Sequence, residues 1–94
     1  LNFRYSNIKF LKDKTGNCLK VTGDLQNCMS KSFNAVVFRI TIFLNNESIA
    51  HANLTINGFG ANQMRNFEER IEDVKYSYGL TTVLRCEIYP ESAY

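Results

Sequence analysis

The chain is poor in the residues that announce chemistry. Its 94 residues include one His, one Pro, three Cys and no Trp. A lone histidine cannot build a multi-imidazole metal site, and no CxxC pair offers thiolates in its place. No run of about 18 apolar residues exists, so no helix of this chain spans a bilayer. One Pro and five Gly, with 45% hydrophobic and 21% charged residues, exclude collagen-like, low-complexity and disordered classes. Charge of one sign is scarce too: the net of +2 is too small to name a polyanionic partner. The length suits a single domain covering 1–94. The chain starts at Leu1, with no basic segment leading into an apolar one, and reads as a domain excised from a longer protein.

Three cysteines cannot all pair within one chain. Cys18 and Cys28, joined by a strand, would lie about 30 Å apart, too far for a disulfide. Free thiols are the expectation, with a bond from Cys86 to one of the others as the alternative. Free thiols favour an intracellular, reducing compartment.

What the chain does contain is period-two hydrophobicity. From Ala35 to Leu44, positions 36, 38, 40, 42 and 44 are all apolar, whereas Arg39 and Thr41 share the other face with Val37 and Phe43. This is a strand with one core face. Asn45-Asn46-Glu47-Ser48 follows as a hairpin turn, because Asn tolerates left-handed backbone. A second alternating run, Ile49 to Asn57, puts Ala50, Ala52, Leu54 and Ile56 inward and His51 outward, so residues 35–57 form a long antiparallel hairpin. Leu19, Val21 and Leu25 alternate upstream with Gly23 on their core side, a position that marks a bulge or a close backbone approach. Ile8 and Phe10 belong to an earlier strand, separated by Asp13-Lys14-Thr15-Gly16. Thr82, Leu84, Cys86 and Ile88 form the last strand, which Pro90 is expected to end. Gly58 to Asn62 reads as the one flexible loop.

Residues 66–78 are ambiguous. Phe67, Ile71, Val74 and Tyr78 form a helical stripe, and Asn66 with Glu69 imitates a capping box. Phe67, Glu69 and Ile71 also fit a strand edge.

Leu19-Lys20-Val21-Thr22-Gly23-Asp24-Leu25-Gln26-Asn27, then the strand Ala35–Leu44, then Phe67-Glu68, form a series that resembles the FxLYD domain family. Members show a V-x-G-x-V-x-N strand, a long strand ending in the name-giving motif, where this chain has Ile40-Thr41-Ile42-Phe43, and a strand opening on Phe-Glu. The likeness covers roughly residues 17–90. It implies an immunoglobulin-like, all-β antiparallel sandwich of six or seven strands, no catalytic site and an extracytoplasmic or membrane-attached microbial setting; no cofactor is expected. It also implies that Phe67 opens a strand, with a short helical turn over 72–78 left as an alternative.

The candidate sites are few. His51 is expected on an outer face and Cys86 on an inner one, so they form no catalytic pair. Glu68, Glu69, Glu72 and Asp73 are acidic without the spacing of a calcium loop and read as a solvated face. Asn46-Glu47-Ser48 and Asn53-Leu54-Thr55 match the glycosylation sequon, relevant in a secreted eukaryotic protein. Residues 1–39 hold seven Lys or Arg against two Asp, whereas 40–94 hold four against seven Asp or Glu. Within the basic third, Lys9, Lys12, Lys14 and Lys20 interleave with Phe3, Tyr5 and Phe10, a pattern that can bind single-stranded nucleic acid or an anionic membrane. Val37, Arg39 and Phe43, by contrast, place two outward apolar residues on one strand. They suggest either core contact with another layer or a protein interface with a neighbouring domain, a second copy in a homodimer, or a peptide added at a sheet edge. A non-catalytic protein-interaction module is the leading expectation, and nucleic-acid or membrane-surface binding the alternative.

Overall fold

The computed structural model describes residues 2–94. Six strands run in order: β1 (Phe3–Lys12), β2 (Cys18–Asn27), β3 (Phe33–Leu44), β4 (Glu47–Phe59), β5 (Met64–Lys75) and β6 (Leu84–Ala93). They form two antiparallel three-stranded sheets, β1-β2-β5 and β4-β3-β6. The chain crosses between sheets after β2, β4 and β5, so neither sheet is built from consecutive strands alone. This is the expected sandwich of immunoglobulin-like class. Among the described residues no helix is long and apolar enough to cross a membrane.

Alternation decides what lies between the sheets. Val36, Phe38, Ile40 and Ile42 of β3 meet Leu19, Val21 and Leu25 of β2, each no more than 1% exposed. One end of the sandwich is aromatic. Phe3 lies 5.2 Å from Phe38, edge to face, and 5.7 Å from Phe59. Phe59, expected in a flexible loop, is instead fully buried at the end of β4, paired with Phe33. The hairpin therefore extends past 35–57 at both ends.

The β3–β4 turn uses the asparagines as expected. Leu44 pairs with Glu47, leaving Asn45 (φ 51°) and Asn46 (φ 69°) as a two-residue loop of type I′. Asn tolerates this geometry and Gly prefers it. Asn46→Gly is expected to raise stability by up to about 1 kcal/mol, read as a higher denaturant midpoint at unchanged slope.

Three of the four register irregularities explain where sequence periodicity and structure differ. In β5, Leu19 pairs with Ile71 but Cys18 with Lys75, so one step of β2 spans four residues of β5. That irregularity re-phases Val74 into the core after Phe67 and Ile71, imitating helical spacing within a strand. No helical turn occupies 72–78: β5 runs to Lys75, Tyr78 is 98% exposed, and the single 3₁₀ turn lies at Leu80–Thr82. In β6, the strand passes through Pro90, which pairs with Phe38, and the register shifts just beyond it. β6 is a sheet edge, where proline's missing N–H is tolerated. The third bulge lies in β1 opposite Gly23, between Ser6 and Lys9, with Asn7 at φ 55°.

Candidate functional site

The outer face of β4-β3-β6 holds the predicted interface residues. Val37, Arg39 and Phe43 are all half-buried on β3, which is the central strand and not an edge. Neighbours cover them in part. The Arg85 guanidinium lies 4.4 Å from the centre of the Phe43 ring, and Arg39 Nη1 lies 3.5 Å from Glu91 Oε1. Between them Thr41 Oγ1 is 3.3 Å from His51 Nδ1 on β4. Tyr89, beside Arg39 in the register, is 48% exposed. His51 is exposed on this face, as expected. Cys86 faces the core from β6, and burial pushes its thiol up to about 11. The two lie on opposite faces of one sheet and form no nucleophile–base pair. All three cysteines are free; Cys18 opens β2 and Cys28 follows its last residue.

The basic residues do not form one bare patch. Lys9 and Lys20 share the outer face of β1-β2-β5, but the Lys20 side chain is only 12% exposed and lies 3.8 Å from Glu68. Lys12 pairs with Leu19 on the opposite parity, and Lys14 is in the turn beyond β1. Phe3 and Phe10 pack against the core, leaving Tyr5 as the exposed aromatic of the three.

Sequence reasoning did not single out the edge of β4, which forms the second candidate surface. Four strands end the two sheets: β1, β5, β4 and β6. β1 is guarded by its bulge and by Arg4, Lys9 and Lys12; β6 by Pro90 and the adjacent bulge; β5 by its own bulge and dense charge. β4 from Ala50 to Asn57 pairs with β3 without a register shift and contains no proline and no Asp, Glu, Lys or Arg. Its ends are closed. A bulge at Ile49 stops regular pairing below, and Arg65 Nη1 donates to the carbonyls of Asn57 and Gly58 above, at 3.2 and 3.1 Å. The Asn57 carbonyl therefore points away from β3. Strand alternation turns the N–H and C=O of His51, Asn53 and Thr55 the same way. Among the described residues, no backbone group of another element pairs with them.

Beside this edge runs an open cleft of about 680 Å³ between β4 and β5. Five carboxylates line it against two cations, Lys20 and Arg70. Asp13 is locked: it accepts from the Thr15 hydroxyl at 2.8 Å and from Arg70 Nε at 3.1 Å, which together hold its carboxyl below the usual range. Arg70 also reaches Glu72, at 3.7 Å. Glu69 and Asp73 have no ion-pair partner among the described residues. Glu69 pairs with core residue Val21, so its side chain turns toward the cleft and not the outer face, and partial burial pushes its carboxyl up. The acidic group read as a solvated face is thus divided, with Glu68 outward and Glu69 inward. Both sequons are exposed at their Asn, Asn46 at the hairpin tip and Asn53 on β4.

One sequence signal could have found the β4 edge: residues 48–64 contain no Asp, Glu, Lys or Arg in a chain that is 21% charged. The chain matches no family model, no curated protein and no solved structure.

Proposed function

We propose that this domain is a non-catalytic protein-interaction module that works through the β4 side of the β4-β3-β6 sheet. One observation carries the reading: β4 offers the unpaired backbone of His51, Asn53 and Thr55 on an edge that has no charge, proline or bulge from Ala50 to Asn57. Edges of this kind bind extended peptides by adding a strand. The adjoining face, with Tyr89, Arg39 and Val37, extends the contact area beyond the added strand. The resemblance of residues 17–90 to the FxLYD family points the same way, since it implies an accessory sandwich without a catalytic site. Nucleic-acid or membrane-surface binding is the weaker reading, because Lys20 is engaged by Glu68 and two of the three interleaved aromatics face inward.

Display selection with a random twelve-residue peptide library tests the proposal. Selected peptides are expected to bind the wild-type domain with micromolar affinity and to be lost on Asn53→Pro, whose missing N–H faces the open edge and costs no bond to β3. Thr55→Pro repeats the test one pair along. Peptides retained by both folded variants would place binding elsewhere and overturn the reading. So would tight binding of an oligonucleotide or phosphatidylserine vesicles that falls steeply with salt.

A further inference from the structure

We propose that the strand added to β4 is a basic segment of a separate partner protein, one of whose Lys or Arg side chains enters the β4–β5 cleft and pairs with Glu69. The inference rests on the interaction reading above and adds the chemistry of the partner.

The geometry comes first. A strand added to β4 lies about 4.8 Å beyond it, and alternate side chains then point across the roughly 10 Å gap toward the other sheet. At this place the other sheet presents β5, with Glu69 on the inward parity. A lysine or arginine stem spans that gap. Charge comes second. The cations already in the cleft are committed to Asp13, Glu68 and Glu72, whereas Glu69 and Asp73 have none. A half-buried carboxylate without a partner is unfavourable in the free domain and favourable once a cation arrives. A glutamate held this way is a cost that the fold alone does not explain.

The same facts select against a second copy. Two β4 edges meeting about a two-fold axis would bring Glu69 and Asp73 against their own images, like charge on like. The basic β1 edge of another copy is interrupted by the bulge at Asn7 and cannot offer a regular strand. An acidic or neutral peptide would leave Glu69 unpaired or repelled.

The test uses three ten-residue peptides of one alternating Thr/Val sequence, with Lys, Gln or Glu at the two central cleft-facing positions. Binding to the ¹⁵N-labelled domain is followed by amide shifts and titration calorimetry. The Lys peptide is expected to bind at least about tenfold more tightly than the Gln peptide, with shifts at His51–Thr55, and the Glu peptide weakest. Glu69→Gln is expected to fold at least as well as the wild type, since it removes an unpaired charge, and to abolish most of the Lys preference. Asn53→Pro is expected to remove binding of all three peptides. Equal binding of the three, all lost on Asn53→Pro, would overturn the basic-partner inference and leave the module reading standing. Binding indifferent to Asn53→Pro would overturn both. Self-association of the free domain that Asn53→Pro abolishes would replace the partner with a second copy.

Discussion

Asn27→Leu is expected to destabilise the domain by about 3 kcal/mol, although it replaces a fully buried polar residue with an apolar one of similar size. The reason is what the amide holds. Asn27 Nδ2 donates to the carbonyls of Lys31 at 2.9 Å and Gly60 at 3.0 Å, with Phe59 O at 3.5 Å. Its Oδ1 accepts from the Met29 N–H at 3.0 Å, and its own backbone N–H donates to Gln63 O at 2.9 Å. One side chain thus ties the β2–β3 connection to the β4–β5 turn and closes the aromatic end of the core. Leucine keeps the backbone bond to Gln63 but removes the partner of the Lys31 and Gly60 carbonyls and of the Met29 N–H. For a domain of this size the loss lowers the thermal midpoint by roughly 12–24 °C. Asn27→Asp separates the amide from the shape. At pH 7 it sets a buried carboxylate against carbonyl oxygens and costs at least as much as leucine. The folded-state pKa of that Asp is raised, so the loss is recovered as pH falls below it and grows as pH rises through it. Denaturant titrations of both variants at pH 4 and 7 check this. A leucine variant within about 1 kcal/mol of wild type would show that the loops hold themselves.

Most of the sandwich was legible where alternation is strict and each break carries its own chemistry. The β3–β4 hairpin satisfies both conditions: an unbroken period of two, then two asparagines in left-handed backbone. Legibility failed at the bulges. One irregular step in β5 turns Phe67, Ile71 and Val74 into a helical spacing, because a sequence shows intervals and not the register that produces them. Pro90 failed for a related reason. Whether proline ends a strand depends on which side of the sheet its nitrogen faces, a fact of tertiary position.

The candidate site was less legible than the fold. That Val37, Arg39 and Phe43 point outward follows from alternation, but the covering of Phe43 by Arg85 and of Arg39 by Glu91 comes from β6, some 40 to 50 residues away. The uncharged stretch through β4 is plain in the sequence, and becomes meaningful only when the topology makes β4 an edge. Glu68 and Glu69 look alike as residues. Parity within β5 sends one toward Lys20 and the other toward the empty side of the cleft. A protein that avoids edge pairing would have charged this strand, and the charge is instead set behind it, on β5, where it selects what may bind.

Gly23 carries the other large effect and connects a sequence motif to a contact. A Cβ built there would lie 2.6 Å from Ile8 Cδ1, 2.9 Å from Phe67 Cε2 and 3.1 Å from the Ser6 carbonyl oxygen. The β1 bulge sets Ile8 over this position, and Phe67 of β5 closes it from the other side, so a bare α-carbon lets three strands meet. Gly23→Ala gains up to about 1 kcal/mol from a stiffer unfolded chain, but the overlap costs about 1–3 kcal/mol, and the net is a loss. Gly23→Val adds two methyl groups with nowhere to go and is expected to cost 3 kcal/mol or more, as an order-of-magnitude figure. Ile8 identifies the source of the strain. Ile8→Val removes the closest atom and alone costs about 0.5–1.5 kcal/mol. In the Gly23→Ala background the same change is expected to be neutral or stabilising, a coupling of about 1 kcal/mol in a double-mutant cycle. Additive effects would mean that the rigid groups, the Ser6 carbonyl and the Phe67 ring, set the cost. The bulge would then follow from the close approach of the backbones at Gly23, and not from the need to seat Ile8.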